Sequence, residues 1–244
     1  MQIIDRTLKA LTFLSNEPTG LSVSELSTML GIPASSTHRI LTGLKENHFI
    51  IQDGDTKKYK VSYKLFTLCS QITKNSSLVS SAKSVMKKLA KKLDKTIVLC
   101  VMENSHIICI DYIENKDTSM YMVKIGYEMP LHVTSAGKVF SAFMDRKAAE
   151  QELSKTSMEA ATPYTKTSLE ELYRELDEIK KDGYAICDEE LQLGIQGIAC
   201  PIFDMNNNVV ATISFAALKR EHYITEKTIS ELKSSASEIS RLIG

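Results

Sequence analysis

Apolar positions recur at helical spacing from the start of the chain. Ile4, Leu8, Leu11 and Leu14 predict a helix over residues 3–16, ended by the Glu17-Pro-Thr-Gly20 stretch. Ser22 followed by Glu25 forms a capping box that opens a second helix at Val23, with Leu26, Met29 and Leu30 on its apolar face. Gly31 suits the left-handed residue that ends this helix. Pro33 suits the first turn of a third helix, running to about Asn47 with Ile40, Leu41 and Leu44 inward. Two short helices joined by a tight glycine turn predict a helix-turn-helix. Phe49 to Gln52 and Tyr59 to Val61 then predict a hairpin, or wing, with Lys57 and Lys58 near its tip.

Residues 62–74 mix polar positions with Leu65, Phe66, Leu68 and Ile72 and read as a partly helical linker. Ser77 to Asp94 predicts a strong helix, with Val85, Met86, Leu89, Ala90 and Leu93 on one face and lysines on the others. The pattern then turns β-branched. Strands are predicted at Thr96 to Glu103, His106 to Glu114 and Met120 to Ile125, and later at Ile195 to Phe203 and Val209 to Leu218. Helices are predicted at Ala136 to Met144, at Ser168 to Asp182 after a second S-x-x-E box, and at Thr225 to Leu242. The fold class is therefore α+β, with a mostly antiparallel sheet in the second part.

A length of 244 residues exceeds one typical domain. No apolar run reaches the 18 residues of a spanning helix. The first residues lack a signal-peptide pattern, so a cytoplasmic location is expected. The five cysteines form no C-x-x-C pair, and the five histidines show no H-x-x-x-H spacing, so neither a disulfide framework nor a Cys/His metal site is expected. Residues 1–95 hold 15 Lys+Arg against 7 Asp+Glu, a net of +8. The remaining residues hold 15 against 23, a net of −8. A basic front beside an acidic rear suits a nucleic-acid reader joined to something else.

Candidate chemistry follows this division. The outward face of the third helix would carry Ser35, Ser36, Thr37, His38, Arg39 and Lys45, small hydroxyls with side chains that reach phosphates or base edges. Lys57 and Lys58 would meet flanking phosphates. Enzyme motifs are missing: there is no G-x-S-x-G, Walker A or G-x-G-x-x-G, and no cofactor is implied. In Gly137-Lys138 the next residue is Val139 where a phosphate loop needs Ser or Thr. The acidic Asp188-Glu189-Glu190 run leaves one enzymatic alternative, a Cys187 nucleophile beside carboxylates.

The order of motifs resembles the IclR-type transcriptional regulators over nearly the full length. The matching pieces are ELSTMLGIPASSTHRIL, YKVSYKLFTL, MPLHVTSAGKVFSAF and DGYAICDEELQLGIQGIACPIFDMNNNVVATISFAAL. The resemblance implies a winged helix-turn-helix at 1–62, a linker at 63–76 and an effector-binding domain of GAF-like fold at 77–244. It also implies homodimers or tetramers on a palindromic double-stranded DNA operator, more often as repressors. A small carboxylate effector would bind at Ser135, Ala136 and Gly137, where a helix N-terminus presents free amides. The segment from Cys187 through Ile195 to Gly197, and Ser214 on the last strand, would complete that site. Cys187 stands where relatives often carry an acid, Gly197 where many carry Cys or Arg, and Ala216 where Ser is common, so the pocket loses polar groups.

Overall fold

The computed structural model describes residues 2–74, 76–114, 124–219 and 222–243. The chain divides into two compact units, Met1–Asn75 and Ser76–Gly244.

The first unit contains α1 (Gln2–Ser15), α2 (Val23–Leu30), α3 (Ala34–Glu46), β1 (Ile50–Gln52), β2 (Tyr59–Val61) and α4 (Lys64–Lys74). The capping box closes as the sequence predicts: Ser22 Oγ accepts from the Glu25 amide and the Ser22 amide donates to Glu25. Gly31 ends α2 at φ 63°. Ala10, Leu14, Leu26, Ile40, Leu41, Leu44, Ile50 and Tyr59 form one core. The wing is tied back to the entrance of α2, because Leu21 and Tyr59 exchange backbone hydrogen bonds of 3.0 and 2.7 Å. Gly20 makes this possible. Its φ is 82°, and a Cβ there would lie 2.8 Å from the Tyr59 carbonyl oxygen.

The second unit contains α5 (Ser77–Leu93), β3 (Ile97–Glu103), β4 (His106–Ile113), β5 (Glu128–Pro130), α6 (Ser135–Phe143), α7 (Arg146–Ser154), α8 (Leu169–Asp182), β6 (Ala185–Asp188), β7 (Ile195–Phe203), β8 (Val209–Leu218) and α9 (Glu226–Ile243). Its six strands lie in the order β5-β4-β3-β8-β7-β6, and every pairing is antiparallel. Helices α5 and α9 pack on one face with Leu99, Ile198 and Ile213, while α6 and α8 cover the other with Val98, Cys100 and Ala199. Cover on both faces explains why central strands read as continuous apolar runs rather than alternating ones.

Several expectations change. The helix predicted at Ser77 to Asp94 is α5, and its Ala82, Val85, Met86 and Leu89 belong to the second unit's core. The connecting segment instead forms α4, which groups with the first unit. The basic excess shifts accordingly: residues 1–75 carry 9 Lys+Arg against 6 Asp+Glu, a net of only +3. The strand expected at Met120 to Ile125 falls mostly outside the described residues; β5, at Glu128–Pro130, is the strand that pairs with β4. Ser168 precedes α8 without a side-chain cap. Helix α7 and strand β6 have no counterpart among the elements predicted from the sequence.

Candidate nucleic-acid interface and ligand cavity

Helix α3 presents its exposed face as the 3.6 period requires. Ser35, His38, Arg39 and Lys45 are exposed, and Ser36 is half-buried. Arg39 makes no ion pair or hydrogen bond among the described residues, so its guanidinium is available to a partner. Thr37 corrects the expectation. It is fully buried, with its hydroxyl 3.3 Å from the Pro33 carbonyl. The cause is spacing: Thr37, Ile40, Leu41 and Leu44 share the inward stripe. Thr42, exposed one turn beyond His38 and 3.4 Å from its Nδ1, belongs to the outer face and was missed. The i, i+4 interval from His38 was the available signal.

The lysines of this region are partly engaged. Lys45 Nζ donates to Gln52 at 3.1 Å and Lys57 Nζ to the Gly54 carbonyl at 2.7 Å. Lys58 pairs with Glu25 at 3.3 Å and is half-buried, so part of its charge is already matched. Glu25 is held down to about 2, first by the Ser22 amide and hydroxyl and then by Lys58.

In the second unit a cavity of about 90 Å³ lies between the sheet and the start of α6. Strand register builds its wall: Cys187 lies opposite Gly197, Gly197 opposite Ala216, and Val98 opposite Ser214. Six of the seven expected ligand positions line it, namely Ser135, Ala136, Cys187, Ile195, Gly197 and Ser214. Val98, Cys100, Met129, Thr134, Leu191, Gln192, Phe215 and Ala216 complete the lining. Leu191 and Gln192 fall inside the expected Cys187–Gly197 segment, and Ala216 is the position where Ser is common; Val98, Cys100 and Phe215 come in through register between distant strands, which no single segment shows.

Thr134 caps α6 by accepting from the Gly137 amide at 3.0 Å, and the Lys138 amide reaches the Thr134 carbonyl. The first two amides, Ser135 and Ala136, have no carbonyl within the helix to reach. The Ser135 side chain, in a residue only 7% exposed, makes no hydrogen bond among the described residues. Gly137 is corrected: it does not line the cavity, and its amide is taken by the cap. Glycine is needed there for packing, since a Cβ would lie 2.0 Å from the Leu131 carbonyl oxygen.

Behind the cavity Lys138 is fully buried. Its ammonium donates to Glu190 at 2.6 Å, to the Ile186 carbonyl at 2.7 Å and to Glu175 at 2.8 Å. Lys166 adds a second cation 3.0 Å from Glu175. Lys219 pairs with Asp188 and Glu189 at 2.9 and 2.5 Å. The acidic run is thus a set of ion pairs that holds the 188–194 loop. Cys187 does not act as an activated thiol: burial pushes it up, and its Sγ donates to the Val133 carbonyl at 3.0 Å.

Residues 3–54 match the IclR helix-turn-helix domain, and residues 70–241 match the family described as bacterial transcriptional regulator IclR C-terminal. The chain belongs to the IclR family of transcriptional regulators. It is 30% identical over 226 residues to the HTH-type transcriptional regulator KdgR of Escherichia coli (strain K12), spanning 92% of this chain and 86% of KdgR. It is 27% identical over 218 residues to the transcriptional repressor IclR of the same organism, spanning 88% and 80% of the two chains. The Thermotoga maritima IclR crystal structure superposes with a TM-score of 0.79 at 29% identity, covering 100% of this chain and 99% of that one. An IclR homolog from Microbacterium hydrocarbonoxydans, complexed with 4-hydroxybenzoate, shares the fold with a TM-score of 0.84 at 19% identity, over 99% and 98% of the chains. As an IclR-family member the chain is a helix-turn-helix transcriptional regulator and not an enzyme. No helix among the described residues is long and apolar enough to cross a membrane.

Proposed function

We propose that this IclR-family regulator is a repressor whose hold on a palindromic operator is set by a small organic acid in the second-unit cavity. The observation that carries this reading is the start of α6. The two amides that the helix leaves open, and the hydroxyl of the buried residue Ser135, which has no hydrogen-bond partner among the described residues, stand at a mostly apolar lining. That is the donor set of an anion site at a helix N-terminus. The homolog complexed with 4-hydroxybenzoate supports an organic acid as the ligand type.

At the operator, Ser35, His38 and Arg39 of α3 enter the major groove, and Lys45 and Lys57 meet flanking phosphates. A dimer brings two such helices to half-sites about 34–36 Å apart. The acid changes operator affinity only by preferring one of two arrangements of the protein.

The test pairs two readouts on Arg39→Ala. A bidentate arginine–guanine contact is worth about 1–3 kcal/mol in each half-site. Operator affinity in a fluorescence anisotropy titration should therefore fall by roughly a hundredfold or more, while the thermal shift produced by a bound acid stays unchanged. Unaltered operator binding would overturn the assignment of α3.

A further inference from the structure

Resting on the effector reading of the cavity, we propose that its ligand is a short aliphatic monocarboxylate without hydroxyl groups, rather than a sugar acid, a dicarboxylate or an aromatic acid. Charge is the first constraint. The lining contains no Lys, Arg or His. The neighbouring cations are committed elsewhere: Lys138 to Glu175, Glu190 and the Ile186 carbonyl, and Lys219 to Asp188 and Glu189. One carboxylate is accommodated by the Ser135 and Ala136 amides and the Ser135 hydroxyl. A second would face apolar side chains with nothing to compensate its lost water.

Hydrogen-bonding capacity is the second constraint. Once Ser135 is used, Ser214 and Gln192 are the remaining side chains able to serve a ligand, because the Thr134 hydroxyl caps α6 and the Cys187 thiol is bonded to Val133. The rest of the wall is side chains such as Val98, Met129, Leu191, Ile195 and Phe215. Each sugar-acid hydroxyl left against that wall would lower affinity by roughly tenfold. Cys187, Gly197 and Ala216, also in the lining, supply no free polar group.

Size is the third constraint. An apolar cavity of about 150 Å³ holds a benzene ring. The space here is about 90 Å³, which suits an aliphatic body smaller than a ring.

The experiment uses the full-length protein, calorimetry and thermal shift with butanoate, 2-methylpropanoate, butanedioate, gluconate, 4-hydroxybenzoate and uncharged butanamide. The two short monocarboxylates should bind at least about tenfold more tightly than the other four. Ala216→Leu, which fills the cavity, should abolish their binding, and Ser135→Ala should weaken it about tenfold. Both variants should retain operator binding in the absence of acid, showing that they fold. Gluconate, butanedioate or 4-hydroxybenzoate binding as tightly as butanoate, and lost in Ala216→Leu, would overturn the ligand class while leaving the cavity as the effector site. Butanoate binding untouched by both substitutions, or no binding by any of the acids, would overturn the cavity reading as well.

Discussion

Lys138 sits on the helix that forms the cavity floor, and its charge is balanced by Glu190, the residue just before Leu191 and Gln192 in the cavity lining. It therefore ties α6 to the loop that shapes the site. Removing one partner of a buried ion pair leaves the other charge uncompensated, which costs about 3–5 kcal/mol. Lys166, 3.6 Å from Glu190, still matches part of that charge, so Lys138→Met is expected to destabilise the second unit by up to about that amount, measured as a lowered urea midpoint. Adding Glu190→Gln to Lys138→Met should recover part of the loss, because the orphaned charge is then gone. Strictly additive losses in this double-mutant cycle would show that the two side chains do not stabilise each other. Thr37 teaches a related lesson on the other unit. Its hydroxyl suits DNA chemically, but its place on the inward stripe of α3 puts it in the core. Residue type alone suggested a contact that helical geometry forbids.

At the scale of elements, α2 is the clearest case of local sequence deciding structure. The Ser22–Glu25 box and Gly31 mark both ends, and the structure follows them. Glu25 also meets Lys58, so one carboxylate joins the helix start to the wing. Its folded-state value of about 2 lies below the ordinary 4.5. The stabilisation is therefore complete above about pH 4.5 and is lost as pH falls toward 2. Wild type should exceed Glu25→Gln in denaturation midpoint at pH 5 to 7, and the gap should close between pH 4.5 and 2. A gap that stays constant with pH would show that the carboxylate charge contributes nothing. The amphipathic helices α5 and α9 were equally legible, and so was the long apolar run of β8. Helix α7 was not, because RKAAEQELS buries only Ala149 and Leu153. Strand β6 was hidden because four residues ending in Asp188 resemble the turn that follows. The cavity was legible only in part. The start of α6 has a local signature, whereas the meeting of Val98 with Ser214, and of Gly197 with Ala216, depends on register between distant strands.

For the whole molecule, the net charges of +3 and −3 on the two units are too small to carry strong binding through bulk attraction. Under the proposed dimer, operator affinity would instead come from local contacts made twice. The first unit carries a feature that favours pairing. Ile3, Ile4 and Leu8 on α1 and Phe66 and Ile72 on α4 are large apolar side chains left exposed, with Ile4 at 65% and Phe66 at 72%. Clustered exposed apolar side chains on each of these two helices mark candidate interaction surfaces, and a two-fold dimer is the commonest way a single chain covers one. Joining two half-site contacts makes the second effectively intramolecular, raising affinity by about 10²–10⁴-fold without new contacts. The double substitution Ile4→Ser with Phe66→Ser touches no buried position, so the fold should persist by circular dichroism. Sedimentation should show the dimer weakened or lost. Affinity for a palindromic operator should then fall by about a hundredfold or more, while affinity for an isolated half-site stays the same because α3 is unaltered. A double variant that remains dimeric and binds the palindrome as wild type does would place the pairing surface elsewhere. Equal losses on palindrome and half-site would mean that these side chains support α3 itself.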